Sequence, residues 1–236
     1  MARPRTPRIS QKRLIRIALR VIDKDGLAAF SLKRLADELQ VHESSVYHHY
    51  RYKHLILEDV VRLVLSDIDV TTMPTGYWKD YLLHASIRYY RAVVAHPNLV
   101  PVLQTSSHPP YTHAVENHTA AMLFQSGFPA RYVVLIREQL ESLILGAVQY
   151  SGNIELFTEV DVRHAALVRA TRAVGEITPE ERIFHALRAF LDGLELQLPL
   201  WQQSAPDPDP GVSTSSAGPS TQAAPGLGDS EQALSG

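Results

Sequence analysis

The 236-residue sequence predicts an all-α protein in two folded parts, a set of three short helices followed by a larger helical set. Apolar residues recur at helical spacing over most of the chain, and no alternating run long enough for a strand interrupts them. Gly and Pro stand where such helices should start or stop.

The first helix is carried by Leu14, Ile17, Ala18, Val21 and Ile22, an i, i+3, i+4, i+7, i+8 stripe, with Gly26 as its stop. Ser31 precedes Leu32, Leu35, Ala36 and Leu39, so it can cap a second helix that ends near Gln40. After a break of two or three residues containing Val41, a third short helix starts at His42 or Glu43, with Val46 and Tyr50 on its inner side. Helix, tight turn, helix is the result. A connecting helix runs from Lys53 towards Ile68 before "TTMPTG" breaks it. The remaining segments expected to be helical are Tyr77–Ala95, a short piece near Pro97–Thr105, Tyr111–Ser126, Pro129–Tyr150, Val160–Val174 and Pro179–Trp201. Pro129 and Pro179 suit first-turn positions, where no hydrogen bond is lost.

From Ser204 the composition changes: 24 of the last 33 residues are Pro, Gly, Ser, Ala or Thr, and none is aromatic or basic. Such a segment has too little to bury and is expected to be disordered. The expected organisation is therefore residues 1–54, a basic arm and helix-turn-helix; 55–76, a connecting helix and linker; 77–203, the larger helical domain; and 204–236, the tail.

Composition narrows the function. The absence of cysteine leaves no disulfides or thiolate zinc sites and fits a reducing compartment, the cytoplasm. Apolar runs are broken by charge before they reach a membrane span, and "MARPRTPR" lacks the apolar core of a signal peptide, so no membrane partner is expected. The net charge of −2 hides a division: residues 1–54 hold 12 Lys/Arg against 5 Asp/Glu, or +7, leaving 11 against 20, or −9, for the rest. A basic front faces a polyanion, whether nucleic acid or a membrane surface, unless it is an incidental basic end.

The stretch "SVYHHYRYKH", Ser45 to His54, discriminates between these. A helix laid in the major groove of DNA presents short polar and aromatic side chains near its N-terminus while its inner face packs on the preceding helix. Glu43, Ser44, Tyr47 and His48 can point to base edges and phosphates, and Val46 and Tyr50 can anchor inward. Ser31 and Lys33, at the start of the preceding helix, would meet the groove's edge, and Arg51 and Lys53 would clamp the backbone. Arg34 can join them or pair with Glu38 at i, i+4. Arg3, Arg5, Arg8, Lys12 and Arg13 form an arm that can track phosphates or end as a frayed basic tail.

The segment "RLIRIALRVIDKDGLAAFSLKRLADELQVHESSVYHHYRYKHLIL" resembles the DNA-binding domain of the tetracycline-repressor (TetR) family of bacterial regulators over about 45 consecutive positions. It departs from that family at Gln40, where glycine is usual, and at His42, where Ser or Glu is common. By this resemblance Lys33 takes the place of a base-contacting residue, and Glu43, Ser44 and Ser45 take recognition-helix positions. Tyr47, His48 and His49 take the aromatic phosphate-contacting positions, and Lys53 the lysine at the head of the fourth helix. The resemblance implies an N-terminal three-helix helix-turn-helix DNA-binding domain followed by a larger helical ligand-binding and dimerisation domain.

Residues 77–200 resemble the C-terminal domain of the tetracycline-type branch, through "YWKDYLLHASIRYYRAVVAHP", "FQSGF" and "AFLDGLELQL". The positions that would hold a drug-contacting histidine, a drug-contacting asparagine and a magnesium-ligating histidine are Asp69, Ala85 and Leu103 here, so tetracycline itself is not expected. A different small-molecule effector remains in view, since helices around a cavity need apolar walls and a few orienting polar groups. Tyr89, Leu103, Tyr111, Phe124, Phe128 and Gln139 are the candidates, with His84 or His113 as polar hooks; for each, ordinary core packing is the competing reading. The seven histidines of this part show no i, i+4 pair and no His-Glu-x-x-His, so no metal and no cofactor is predicted.

Two wide apolar stripes predict a homodimer. Leu135/Ile136, Leu140, Leu143/Ile144 and Ala147/Val148 line residues 130–150, and Ile183/Phe184, Leu187, Phe190/Leu191, Leu194 and Leu198 line 180–200. Two such helices from each of two chains make a four-helix bundle, unless both stripes are satisfied within one subunit. The leading reading is a ligand-responsive transcriptional regulator, a repressor that binds a palindromic double-stranded DNA operator as a homodimer and is released by an unknown small-molecule effector. A ligand-independent architectural DNA binder would share the same front end. An enzyme is not expected, because no nucleophile elbow, phosphate-binding Gly loop or metal signature is present.

Overall fold

The computed structural model describes residues 10–66, 68, 76–105, 112–151, 160–175 and 177–203, and each α-helix among them falls on a segment expected to be helical, with ends that differ by a few residues. Among these residues there are ten α-helices and no strand. Helix α1, Gln11–Asp25, is capped by Ser10, whose hydroxyl accepts the Arg13 amide, and ends at Gly26 with φ 81°. A short 3-10 turn, Leu27–Ala29, leads to α2, Leu32–Leu39, which Ser31 caps as expected by accepting the Arg34 amide at 3.1 Å. Helix α3 is Glu43–His49 and α4 is Lys53–Leu65.

The turn between α2 and α3 forms without the usual glycine. Gln40 occupies the left-handed region at φ 56°, ψ 47°, and the Gln40 and Val41 amides close the end of α2 on the Asp37 and Ala36 carbonyls. That is the hydrogen-bond pattern glycine normally serves. His42, the other departure, precedes α3 in extended backbone and its side chain makes no capping bond.

Leu14, Ala18, Ile22, Leu35, Val46, Ile56 and Val60 form a fully buried core for these four helices. Two residues of the following part, Leu99 and Val102, are buried in the same core. Beside them the Asn98 side-chain amide donates to the Ile22 and Asp23 carbonyls at 3.0 and 3.1 Å, closing the C-terminal end of α1.

The second core belongs to α5 (Trp78–Val94), α6 (Val100–Thr105), α7 (His113–Gln125), α8 (Ala130–Ser151) and α10 (Pro179–Gln203). Tyr81, Leu123, Ile136, Ile144, Leu187 and Leu191 are its most deeply buried large side chains. Helix α10 begins with a reciprocal cap: Thr178 Oγ1 accepts the Glu181 amide at 3.2 Å and Glu181 accepts the Thr178 amide at 2.8 Å. Pro179 is its first residue, whereas Pro129 stands one residue ahead of α8.

Helix α9, Ala165–Gly175, starts five residues later than the periodicity predicts. Asp161 accounts for the delay, since its carboxylate accepts the Arg163 amide at 2.9 Å and holds the chain in a turn. The basic residues Arg3, Arg5 and Arg8, the expected linker residue Asp69, the candidate Tyr111 and the tail from residue 204 lie outside the described residues. No helix among those described is long and apolar enough to cross a membrane.

Gln40 yields the first prediction. A non-glycine residue in the left-handed region costs about 1 kcal/mol or more, offset in part by glycine's greater unfolded entropy. Gln40→Gly is therefore expected to stabilise the chain by up to about 1 kcal/mol, read as a raised urea midpoint at unchanged slope.

Candidate nucleic-acid interface and internal cavity

Helix α3 turns one face inward and one outward. Val46 is fully buried and Tyr50, its C-terminal cap residue, is 5% exposed, while Glu43, Ser44, Tyr47, His48 and His49 are exposed and Ser45 is half-buried. Tyr47 leaves half of its surface open at 51%, an unusual fraction for a ring beside a packed core. Lys33 and Lys53 are exposed on the same head, with the Lys53 ammonium 5.3 Å from the centre of the buried Phe30 ring. This cation–π contact fixes the stem of Lys53 and leaves its charge at the surface.

The remaining aromatics of the "SVYHHYRYKH" stretch brace one another. His48 and His49 meet edge to face at 5.9 Å, Tyr52 and His54 stack at 5.5 Å, and the Arg51 guanidinium lies 5.5 Å from the Tyr52 ring. Ser31 is exposed, but its hydroxyl is engaged in capping α2. Arg34 takes the ion pair that competed with its DNA role, to Glu38 at 2.8 Å, and adds Asp25 at 3.0 Å. Those partners, Asp25 foremost, raise its pKa.

Tyr50 does more than fill space. Its hydroxyl donates to Asp59 of α4, and the Gln11 side-chain amide donates to the Tyr50 oxygen at 2.8 Å and to Asp59 at 3.1 Å. Burial first, then the Asp59 carboxylate, pushes the phenol up to about 12, so it stays protonated and donating. Asp59 also pairs with Arg62 at 3.0 Å. The roles of Gln11 and Asp59 left no signal in the sequence, because Tyr50 and Gln11 are 39 residues apart.

A cavity of about 480 Å³ lies among α4, α5, α6, α7 and α8. Its apolar walls include Val61, Leu65, Leu82, Ala85, Leu140 and Ile144. Polar groups reach it from every side except α6: Glu58 and Arg62 from α4, Ser86 and Tyr89 from α5, Glu116 and Thr119 from α7, Arg137 and Glu141 from α8. Glu141 accepts from Arg137 at 3.1 Å and from the Tyr89 hydroxyl at 3.2 Å, and Thr112 donates to Glu116 at 3.1 Å. Tyr81 meets Thr119 at 3.2 Å, and burial raises the Tyr81 pKa. Behind Tyr81, with ring centres 5.6 Å apart, His118 holds a buried Nε2 that has no hydrogen-bond partner.

Of the eight effector candidates named from the sequence, Tyr89 and Leu103 line this cavity. Phe128 does not: it is 3% exposed and packs edge to face on Trp78 at 4.8 Å. His84, His113, Phe124 and Gln139 are exposed and do not line it, and the His84 ring bonds to the Asp80 carbonyl at 2.7 Å within its own helix. The residues that sequence reasoning missed share a signature. Arg137 and Glu141, like Glu58 and Arg62, are charged pairs at i, i+4 that flank the apolar stripe of their helix, a position where a ligand-facing polar group and a solvated one read alike.

The apolar stripes of α8 and α10 split between two faces. Ile136, Leu140, Ile144 and Val148, with Ile183, Leu187, Leu191 and Leu194, are buried within the subunit. Leu135 at 47%, Leu196 at 76% and Leu200 at 56% remain exposed on the same two helices.

Comparison with known proteins agrees with this geometry. The family described as "Bacterial regulatory proteins, tetR family" matches residues 14–60, which span α1 to the middle of α4. The tetracycline repressor protein class E of Escherichia coli is 23% identical over 197 residues, covering 81% of this chain and 93% of its own. Among solved structures, a TetR variant from Acinetobacter baumannii AYE in complex with minocycline superposes with a TM-score of 0.66 at 14% identity, covering 84% of this chain and 97% of that one. The TetR family protein ActR of Streptomyces coelicolor in complex with actinorhodin gives a TM-score of 0.66 at 20% identity, covering 80% and 98%. Residues 14–60 thus match that family, and the helical fold as a whole is shared with these solved structures.

Proposed function

We propose that the protein is a transcriptional repressor that binds a palindromic operator as a homodimer and leaves it when a small molecule fills the cavity. The observation that carries the DNA reading is the division of α3: Val46 and Tyr50 buried, and Glu43, Ser44, Tyr47, His48 and His49 exposed beside Lys33 and Lys53. A helix anchored in this way can enter a major groove at a fixed angle, its N-terminal side chains on base edges and its aromatic and cationic ones on phosphate. Ser45 and Ser31 sit at the margin of this face, and Arg34 acts there through its ion pairs.

Operator release is supported by the cavity, whose size suits a drug-sized ligand and whose wall includes α4, the helix that leaves the DNA-binding head. Two similar structures hold minocycline and actinorhodin. The effector contacts assigned here are Tyr89 and Leu103, together with Ser86, Arg137 and Glu141. The exposed Leu135, Leu196 and Leu200 form the dimer face, with α8 and α10 of two chains making a four-helix bundle. Residues 1–54 are the DNA-binding part, 55–76 the connection, 77–203 the ligand and dimer part, and 204–236 a tail; the cytoplasm is the compartment.

Ser44→Ala combined with Tyr47→Ala is expected to abolish preference for duplexes carrying the sequence that flanks the protein's own gene, with circular dichroism and sedimentation unchanged. Gel shifts measure it, and wild-type affinity in the double variant would refute the placement of the reading helix. Lys53→Ala should weaken all duplexes alike and reduce the slope of log K against log salt by about 1. Leu196→Asp with Leu200→Asp is expected to give monomers in sedimentation velocity and to lower operator affinity by orders of magnitude, about the 10² to 10⁴ that linked half-sites contribute.

A further inference from the structure

A continuous set of polar contacts joins the cavity wall to the C-terminal end of α3. Arg62 lines the cavity. Its guanidinium pairs with one oxygen of Asp59 at 3.0 Å, and the other Asp59 oxygen accepts the Tyr50 hydroxyl and the Gln11 amide. Tyr50 is the residue on which α3 ends, and Gln11 is the first residue of α1. Asp59 is thus held between a group that faces the ligand space and the two groups that seat the DNA-facing helix. Its side chain is 13% exposed, whereas that of Arg62 is 55% exposed, so the arginine is the member of the pair that solvent and ligand can reach.

We propose that Arg62 is the sensor of cavity occupancy: an oxygen acceptor on an otherwise apolar ligand draws its guanidinium off Asp59, and the loosened carboxylate releases Tyr50 and Gln11. This rests on the ligand-responsive reading given above and adds to it the ligand chemistry and the route of its signal. The required ligand carries a carboxylate or phenolate-type oxygen at the α4 end, because only an acceptor competes with a carboxylate for a guanidinium. Its body is apolar, to match Val61, Leu82, Ala85 and Ile144. The second cavity arginine, Arg137, is held on α8 by Glu141 at 3.1 Å, and Glu141 also receives Tyr89.

Once Arg62 turns away, Asp59 is a partly buried carboxylate that has lost its nearest cation. Water then competes for it, and Tyr50, kept protonated by its surroundings, loses the fixed acceptor that orients it. The helix end that Tyr50 anchors gains freedom, and two recognition helices whose ends are free no longer keep one groove spacing. The coupling is thermodynamic, so operator binding in turn weakens the ligand by the same factor.

The test uses the full-length chain, an operator duplex selected by it from a randomised pool, and two isosteric probes, anthracene-9-carboxylate and 9-(aminomethyl)anthracene. Operator affinity is measured with and without each probe, and probe binding separately by fluorescence anisotropy. For the wild type, the carboxylate is expected to weaken operator binding by about tenfold or more, within the range of coupled sites, and the amine by less than about twofold. In Arg62→Gln the carboxylate effect should vanish. In Tyr50→Phe, which keeps the ring and removes the donor, the carboxylate should still bind the cavity while operator affinity no longer responds to it.

A Tyr50→Phe or Arg62→Gln chain that responds as the wild type does overturns the relay, as does a wild type that prefers the amine or ignores both probes while holding its operator. A chain that selects no duplex at all overturns the proposed function itself, and the relay with it. Arg62→Lys guards against a folding artefact: it keeps the cation and the helix but loses the planar fork, and should show a reduced, nonzero response. A full wild-type response in that variant would overturn the guanidinium's role.

Discussion

The seating of α3 is the constraint on which the rest of the molecule depends. Seven residues make too short a helix to stand alone in water, so its geometry is imposed by what it packs against. Val46 and Tyr50 supply that packing, each contributing on the order of 2 kcal/mol of apolar burial. The apolar term decides that the helix docks at all. The hydrogen bonds of Tyr50 to Asp59 and Gln11, smaller in net worth, decide at what angle, since a ring can slide in an apolar slot but a hydroxyl held by two partners cannot.

The cavity shows the same division between bulk and direction. Its walls are chiefly aliphatic and aromatic, while its polar groups are largely committed to one another: Glu141 to Arg137 and Tyr89, Tyr81 to Thr119, Glu116 to Thr112. A ligand entering this space gains from apolar contact and must exchange, rather than simply satisfy, hydrogen bonds. That requirement favours few chemical classes. It also places α4 in a double position, since Val61 and Leu65 belong to the cavity wall while Ile56 and Val60 belong to the core of the head.

Much of this was legible in the sequence, for identifiable reasons. The all-α class, the helix-turn-helix and the inward role of Val46 and Tyr50 follow from periodicity and caps, which are local properties. Ser31 as a cap and Pro179 as the first residue of α10 are of this kind. The start of α9 was misplaced because Asp161 captures the Arg163 amide, a local turn that apolar spacing does not register. The cavity was legible only at Tyr89 and Leu103. Its shape arises from five helices meeting, and no single helix records which of its partly buried residues will face a void. Phe124, Gln139 and His113 fit the composition of a pocket wall and face outward instead. The contact of Gln11 with Tyr50 and Asp59 crosses three helices and has no sequence trace.

The insertion of Leu99 and Val102 into the first core, with Asn98 closing the end of α1, has an architectural consequence. The front four helices do not own a complete interior; they borrow its last side chains from the body behind. Severed after Leu65, they would bare a greasy socket and lose the Asn98 donor from the end of α1. Grafting this head onto a foreign body would therefore succeed only where the new host brings its own plug of the same shape.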